Sequence, residues 1–159
     1  MTELLAALLG SLVGGLTTWA VARAQIRHEV TSRHRERIDD LVARLHTDAQ
    51  MLGVKSLQTR LPDQSRLESL TLQAGILTAR ARDSDSHLAC IVEEGLTSIH
   101  DNLILPNEME SEVAIVKPGS YGRSSFALSG LLAMWLRHPE KFERERPTFA
   151  AALAKVDEG

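Results

Sequence analysis

Cysteine, aromatics and glycine-rich motifs are all scarce in this chain. Cys90 is the only cysteine, which excludes an internal disulfide and fits a reducing compartment. Aromatic residues make up 4% of the sequence, so a core has to be built from Leu, Ile, Val and Ala. That composition favours helices over a sheet sandwich, which draws on aromatic and β-branched side chains. Lys and Arg are missing altogether from Asp83 to Val116, a stretch that holds Asp83, Asp85, Glu93, Glu94, Asp101, Glu108, Glu110 and Glu112. Its charge excludes a broad phosphate-binding surface, and nucleic acid is not an expected partner. No internal repeat or low-complexity tract interrupts the chain. With 43% hydrophobic and 25% charged residues, the composition is that of a folded protein, and its 159 residues suffice for one ordinary domain.

Charge is also missing near the amino terminus. Between Leu4 and Ala22 there is no charged residue, and Ser11, Thr17 and Thr18 are the only polar side chains. Nineteen residues at the helical rise reach roughly 28 Å, close to the hydrocarbon thickness of about 30 Å. Residues 4 to 22 therefore read as a transmembrane anchor. A secretory signal is disfavoured because the tip is MTE, without a positive charge, although Ala20-Val21-Ala22 has the small residues of a cleavage site. A buried helix of a soluble bundle is the other rival. Arg23, Arg27, Arg33, Arg35 and Arg37 follow the run, opposed by Glu29 and Glu36. Positive residues stay on the cytoplasmic side, so the expected topology has the tip outside, the body cytoplasmic and the arginines forming a collar against anionic headgroups. Trp19 falls at the cytoplasmic interface.

The anchor carries a stripe of small residues, Ala6, Gly10, Gly14, Thr18 and Ala22, which includes the GxxxG of GSLVG. Small residues at four-residue spacing let two helices approach closely, so this stripe is a candidate for self-association. Leu5, Leu9, Leu12 and Leu16 fall elsewhere on the helix.

Beyond the anchor, the expected class is all-α. Ile26, Val30, Ile38, Leu41, Leu45, Ala49 and Leu52 continue one helix to about Thr59, before Pro62. The SRLE pattern at 65 to 68 predicts a capping box opening a second helix over 65–82, and DSDS at 83–86 predicts a turn or restart. Leu88, Ile91, Val92, Leu96, Ile99 and Leu103 predict a third helix that stops before Pro106, and the three pack as a bundle. Residues 106–112 read as an acidic connection, 113–117 as a short extended segment, and PGSYG as a turn. Ser124 or Ser125 is expected to cap a fourth helix, and Pro139 and Pro147 to sit in the first turns of two short terminal ones. The organisation is thus anchor (1–22), collar and long helix (23–60), two bundle helices (61–105), then acidic connection and terminal helices (106–159).

Candidates for chemistry are few. Asp83, His87, Cys90 and Glu94 share one face of a continuous helix and include zinc-type ligands, but Leu88 and Ile91 beside them make Cys90 most simply a core residue. A calcium loop over the same segment is rejected because His87 and Leu88 stand where a ligand and the turn-forming Gly belong. Lys117, Gly119, Gly122, Arg123 and Ser124 form a candidate anion site at a helix start; it is not a P-loop, since Arg123 stands in place of the lysine. A capped loop is the plainer reading. No nucleophile motif appears, so neither an enzyme nor a cofactor or resident metal is expected. The favoured function is a membrane-anchored interaction or scaffold module that offers Glu108, Glu110 and Glu112 to a basic protein partner. The alternatives are an envelope-acting or lysis-accessory protein with its body outside and, lower, a metal-dependent enzyme.

Overall fold

The structure is a computed structural model that describes residues 2–58, 62–103 and 120–158, with side chains described from Thr18 onward except for Ala20 and Ser120. It is all-helical, with no strand among the described residues: α1 (Thr2–Gln58), α2 (Gln64–Arg80), a 3-10 turn (Asp83–Asp85), α3 (Ser86–Asp101), α4 (Ser120–Arg137), α5 (Pro139–Glu145) and α6 (Phe149–Glu158). The extended segment expected at 113–117 lies outside the described residues. Contacts divide the chain into two units, residues 1–37 and 38–159.

The second unit is a helical bundle. No Gly or Pro falls between Leu16 and Leu52, so nothing breaks α1 there. Its apolar residues Ile38, Val42, Leu45, Ala49 and Leu52 recur at spacings of four and three and are all buried, which gives the helix a continuous seam facing the core. Leu70, Ala74 and Leu77 of α2, Leu88, Ile91, Val92 and Ile99 of α3, and Leu128, Leu132 and Trp135 of α4 complete the same cluster.

Polar contacts set where the helices meet. Asp48 on α1 accepts hydrogen bonds from three α2 side chains: Arg66 Nη1 at 3.2 Å, Ser69 Oγ at 2.8 Å and Gln73 Nε2 at 3.1 Å. The cap of α2 is Asp63 rather than the predicted Ser65. Asp63 accepts from the Arg66 amide at 3.4 Å and from Ser65 Oγ at 2.7 Å, while Lys55 Nζ donates to its other oxygen at 2.8 Å. A carboxylate that also recruits a lysine from α1 outcompetes a serine hydroxyl for the cap, and α2 therefore starts one residue earlier than expected.

The start of α4 needs a larger correction. The predicted caps Ser124 and Ser125 lie inside the helix and are buried. Ser125 Oγ donates to the Tyr121 carbonyl at 2.9 Å, and Ser124 Oγ lies 2.8 Å from Ser98 Oγ on α3. These hydroxyls are satisfied within the packing instead of ending it. The close approach depends on Gly122: a Cβ built there would overlap the side chain of Ser56, with the Ser56 Cβ only 2.7 Å away. The first turn of α4 can lie against α1 only because position 122 has no side chain.

At the carboxyl-terminal end, Pro139 occupies the start of α5 as expected. Pro147 instead precedes α6, whose Ala151 amide donates to Thr148 Oγ1 at 3.3 Å. Between them Arg146 adopts the left-handed conformation, φ 44°, and its amide closes α5 on the Phe142 carbonyl. Phe142 and Phe149 fill the core on either side of this bend.

Candidate functional site

In the first unit the described residues from Thr18 to Arg37 are exposed, apart from a half-buried His34. The large apolar side chains Trp19, Val21, Ile26 and Val30 lie in the open, between 51% and 61% exposed. The Arg23 guanidinium lies 5.0 Å from the centroid of the Trp19 ring, a cation–π contact that holds an amphipathic ring and a charge together. Arg33 pairs with Glu29 one turn before it. At helical spacing Arg23, Arg27, Arg33 and Arg37 share roughly a third of the circumference, with Arg35 outside it. The collar therefore has a basic face on which Arg33 is paired with Glu29.

Among the described residues no helix is long and apolar enough to cross a membrane. The anchor predicted over 4–22 falls mostly on residues whose side chains lie outside the description. The same holds for Ala6, Gly10 and Gly14 of the small-residue stripe, whereas Thr18 and Ala22 are exposed. Glu108, Glu110 and Glu112 also lie outside the described residues.

The DSDS segment separates the four candidate metal ligands. Asp83 belongs to the 3-10 turn and not to α3. His87 turns the other way: its Nε2 lies 3.1 Å from the Pro147 carbonyl and its ring packs at 5.6 Å on Phe142. Among the described residues no group of three or more His, Cys, Asp or Glu side chains is arranged to hold a metal ion. Cys90 is exposed, contrary to its expected place in the core. Leu88 and Ile91 point inward, and Cys90 lies on the next face beside Glu94, to which its thiol donates at 3.6 Å. Partial desolvation, followed by the negative charge of Glu94, raises the thiol pKa above 9.0, so Cys90 is not an activated nucleophile.

The candidate anion site is only partly described, because Lys117 and Gly119 fall outside. Its remaining members have other tasks. Gly122 is the contact point with Ser56, Ser124 faces Ser98, and Arg123 pairs with Asp157 of α6 at 2.9 Å. Nearby, the Tyr121 hydroxyl is buried without a hydrogen-bond partner among the described residues, and burial raises its pKa.

An open groove of about 820 Å³ runs between α2 and the end of α3, lined by Pro62, Leu67, Leu72 and Leu103, with Glu68 and His100 as its titratable groups. These two do not amount to a catalytic set. Sequence reasoning missed the Asp48 hub, the Asp63 cap and the Gly122 approach. The position of Asp63 directly after Pro62 was the one visible signal, since Asp is a strong cap wherever a helix can begin behind a proline. No protein-family model matches this chain, and no curated protein or solved structure matches it either.

Proposed function

We propose that this protein is a single-pass, membrane-anchored helical interaction module, with residues 4–22 as the anchor and the bundle on the cytoplasmic side. The observation that carries the reading is the succession of an uncharged nineteen-residue run and an exposed basic helix face. Exposed arginines next to a membrane gain up to about 1 kcal/mol each from anionic headgroups. Trp19 beneath the Arg23 guanidinium suits the headgroup level, where an amphipathic ring and a cation are both accommodated. The bundle has no described metal cluster or nucleophile, and its role in this reading is to bind another protein. The acidic residues Glu108, Glu110 and Glu112 are the proposed contact for a basic partner, kept away from anionic lipid by their own charge. Reversing these three charges is expected to weaken partner capture.

The exposed Cys90 makes the topology testable without adding a tag. Intact and lysed cells are treated with a membrane-impermeant maleimide, and membranes are fractionated in parallel. Membrane-bound protein labelled only after lysis is the expected result. Labelling in intact cells reverses the topology and favours an envelope-acting protein, and recovery entirely in the soluble fraction removes the anchor.

A further inference from the structure

We propose that the trough between α4 and α6 binds a medium-chain aliphatic carboxylate, with its hydrocarbon tail lying along the two helices and its head at Lys155. Arg123 near the start of α4 pairs with Asp157 near the end of α6, so the two helices run antiparallel. Between them lies a cavity of about 300 Å³, at the lower end of the range for small-molecule sites. Its lining combines small residues, Ala127 and Gly130 on α4 with Ala151 and Ala152 on α6, with the larger apolar side chains of Met134 and Val156. Among the described residues Lys155 is the one charged group that lines it. Nothing lies within 4 Å of a Cβ added at Gly130, so packing between the helices does not need the space left open there. Gly53, Gly95 and Gly122 differ, because a neighbouring side chain already occupies the place of each missing Cβ.

Shape and charge select the occupant. Ala127 and Met134 on one helix, and Thr148 and Lys155 on the other, are each seven residues apart, roughly 10 Å along the axis. A zigzag hydrocarbon with C–C bonds of about 1.5 Å covers that length with about eight carbons. A partner helix is about 10–12 Å across with its side chains, and one of this length displaces roughly 1,000 Å³, far more than the cavity holds. Lys155 supplies the contact for the head group. Among the described residues it pairs with no carboxylate, and Asp157, two residues on, is held by Arg123. A carboxylate at the end of the tail meets a cation there, whereas an alkylammonium is repelled. The opposite end holds Pro147 and Met134 and no charged residue, which gives the ligand a single orientation. The whole site lies between Phe126 and Val156, so it does not depend on the proposed anchor.

Methionine methyl NMR of the full chain reads this site locally, because Met134 lines the trough while Met51 lies exposed on α1. The chain has four methionines, and Met134→Leu and Met51→Leu assign the two signals. Titration with sodium octanoate is expected to shift the Met134 methyl saturably and to leave Met51 in place. Affinity should rise about twofold to fourfold per carbon from butanoate to octanoate, as methylenes leave water, and level off beyond that length. Lys155→Gln should weaken octanoate about threefold and leave octanol unchanged. Gly130→Leu places a side chain in the open space and should abolish the Met134 response, with the Met51 signal and the circular dichroism spectrum reporting an intact fold. Absence of a saturable Met134 shift with octanoate overturns the proposal. So does a response that persists in Gly130→Leu, which puts the ligand elsewhere. Octanol or octylammonium binding as tightly as octanoate, or an unchanged octanoate affinity in Lys155→Gln, overturns the assignment of a carboxylate.

Discussion

Adding a single methyl group at Gly122 tests the closest approach in the bundle. In Gly122→Ala the new Cβ overlaps Ser56, and the obstacle includes the Ser56 Cβ at 2.7 Å, which cannot rotate away as a hydroxyl can. Overpacking of this kind costs about 1–3 kcal/mol. Alanine regains about 0.5–1 kcal/mol over glycine as a helix former, so the net loss is about 0.5–2 kcal/mol. For a body of this size each kcal/mol moves the melting temperature by about 3–5 °C, and Gly122→Ala is expected to melt about 2–10 °C below the parent. Gly130→Ala is the control: nothing lies within 4 Å of its added Cβ, and it should gain about 0.5–1 kcal/mol. Thermal and urea unfolding followed by circular dichroism measure both. The decisive comparison is a double-mutant cycle with Ser56→Gly, which removes the obstructing atoms. If Ser56 is the obstacle, the penalty of Gly122→Ala largely disappears in that background. An equal penalty in both backgrounds, or a Gly122→Ala protein as stable as Gly130→Ala, would refute the close packing of α4 on α1.

Other expectations follow from the caps and side-chain contacts. The hydrogen bond from Lys55 and then that from Ser65 lower the Asp63 pKa from 3.8 to about 2; a carboxylate depressed on folding stabilises the protein above pH 3.8, and this contribution is lost as pH falls toward 2. Asp63→Asn should flatten the stability profile in that window and leave its shape unchanged above pH 5, as acid titrations of unfolding would show. Glu94→Gln removes a charge that raises the Cys90 pKa, so maleimide should react faster with the variant near neutral pH; an unchanged rate would mean that Glu94 does not act on the thiol. Gly95→Ala meets the flexible end of Leu128, with Cδ1 at 2.9 Å, and should destabilise less than Gly122→Ala in the same unfolding series, because Leu128 can change rotamer where the Ser56 Cβ cannot move.

Periodicity made the helices legible. The steps of three and four found Ile38, Leu45, Ala49 and Leu52 of the buried face of α1, but took in Leu41 where Val42 is the buried residue and included Ile26 and Val30, which are exposed; Leu88, Ile91, Val92 and Ile99 gave the buried face of α3. DSDS at 83–86 was readable as a break because Ser and Asp bond to nearby backbone more readily than they continue a helix. The position of Cys90 was not readable, since one residue of helical phase decides between the core and the surface. Nor was the start of α4, because serines that look like caps can equally fill a tight contact between helices. Gly122 was read as part of a turn, whereas its importance comes from Ser56, sixty-six residues earlier in the sequence. The partners of Asp48 and Asp63 were hidden for a related reason: spacing along one helix says nothing of which side chain arrives from another.

The three donors to Asp48 have a further consequence for how α1 and α2 find each other. Arg66, Ser69 and Gln73 are spaced about one turn apart along a single face of α2, and all of them converge on one carboxylate. Apolar packing tolerates small slips, because one leucine can replace another against a smooth surface. A carboxylate with two oxygens does not: turning α2 by one residue rotates it by about 100° and takes all three donors out of reach together. Asp48 thus acts as a phase reference, separating the correct pairing of the two helices from near-equivalent ones by polar groups left unsatisfied in each wrong arrangement.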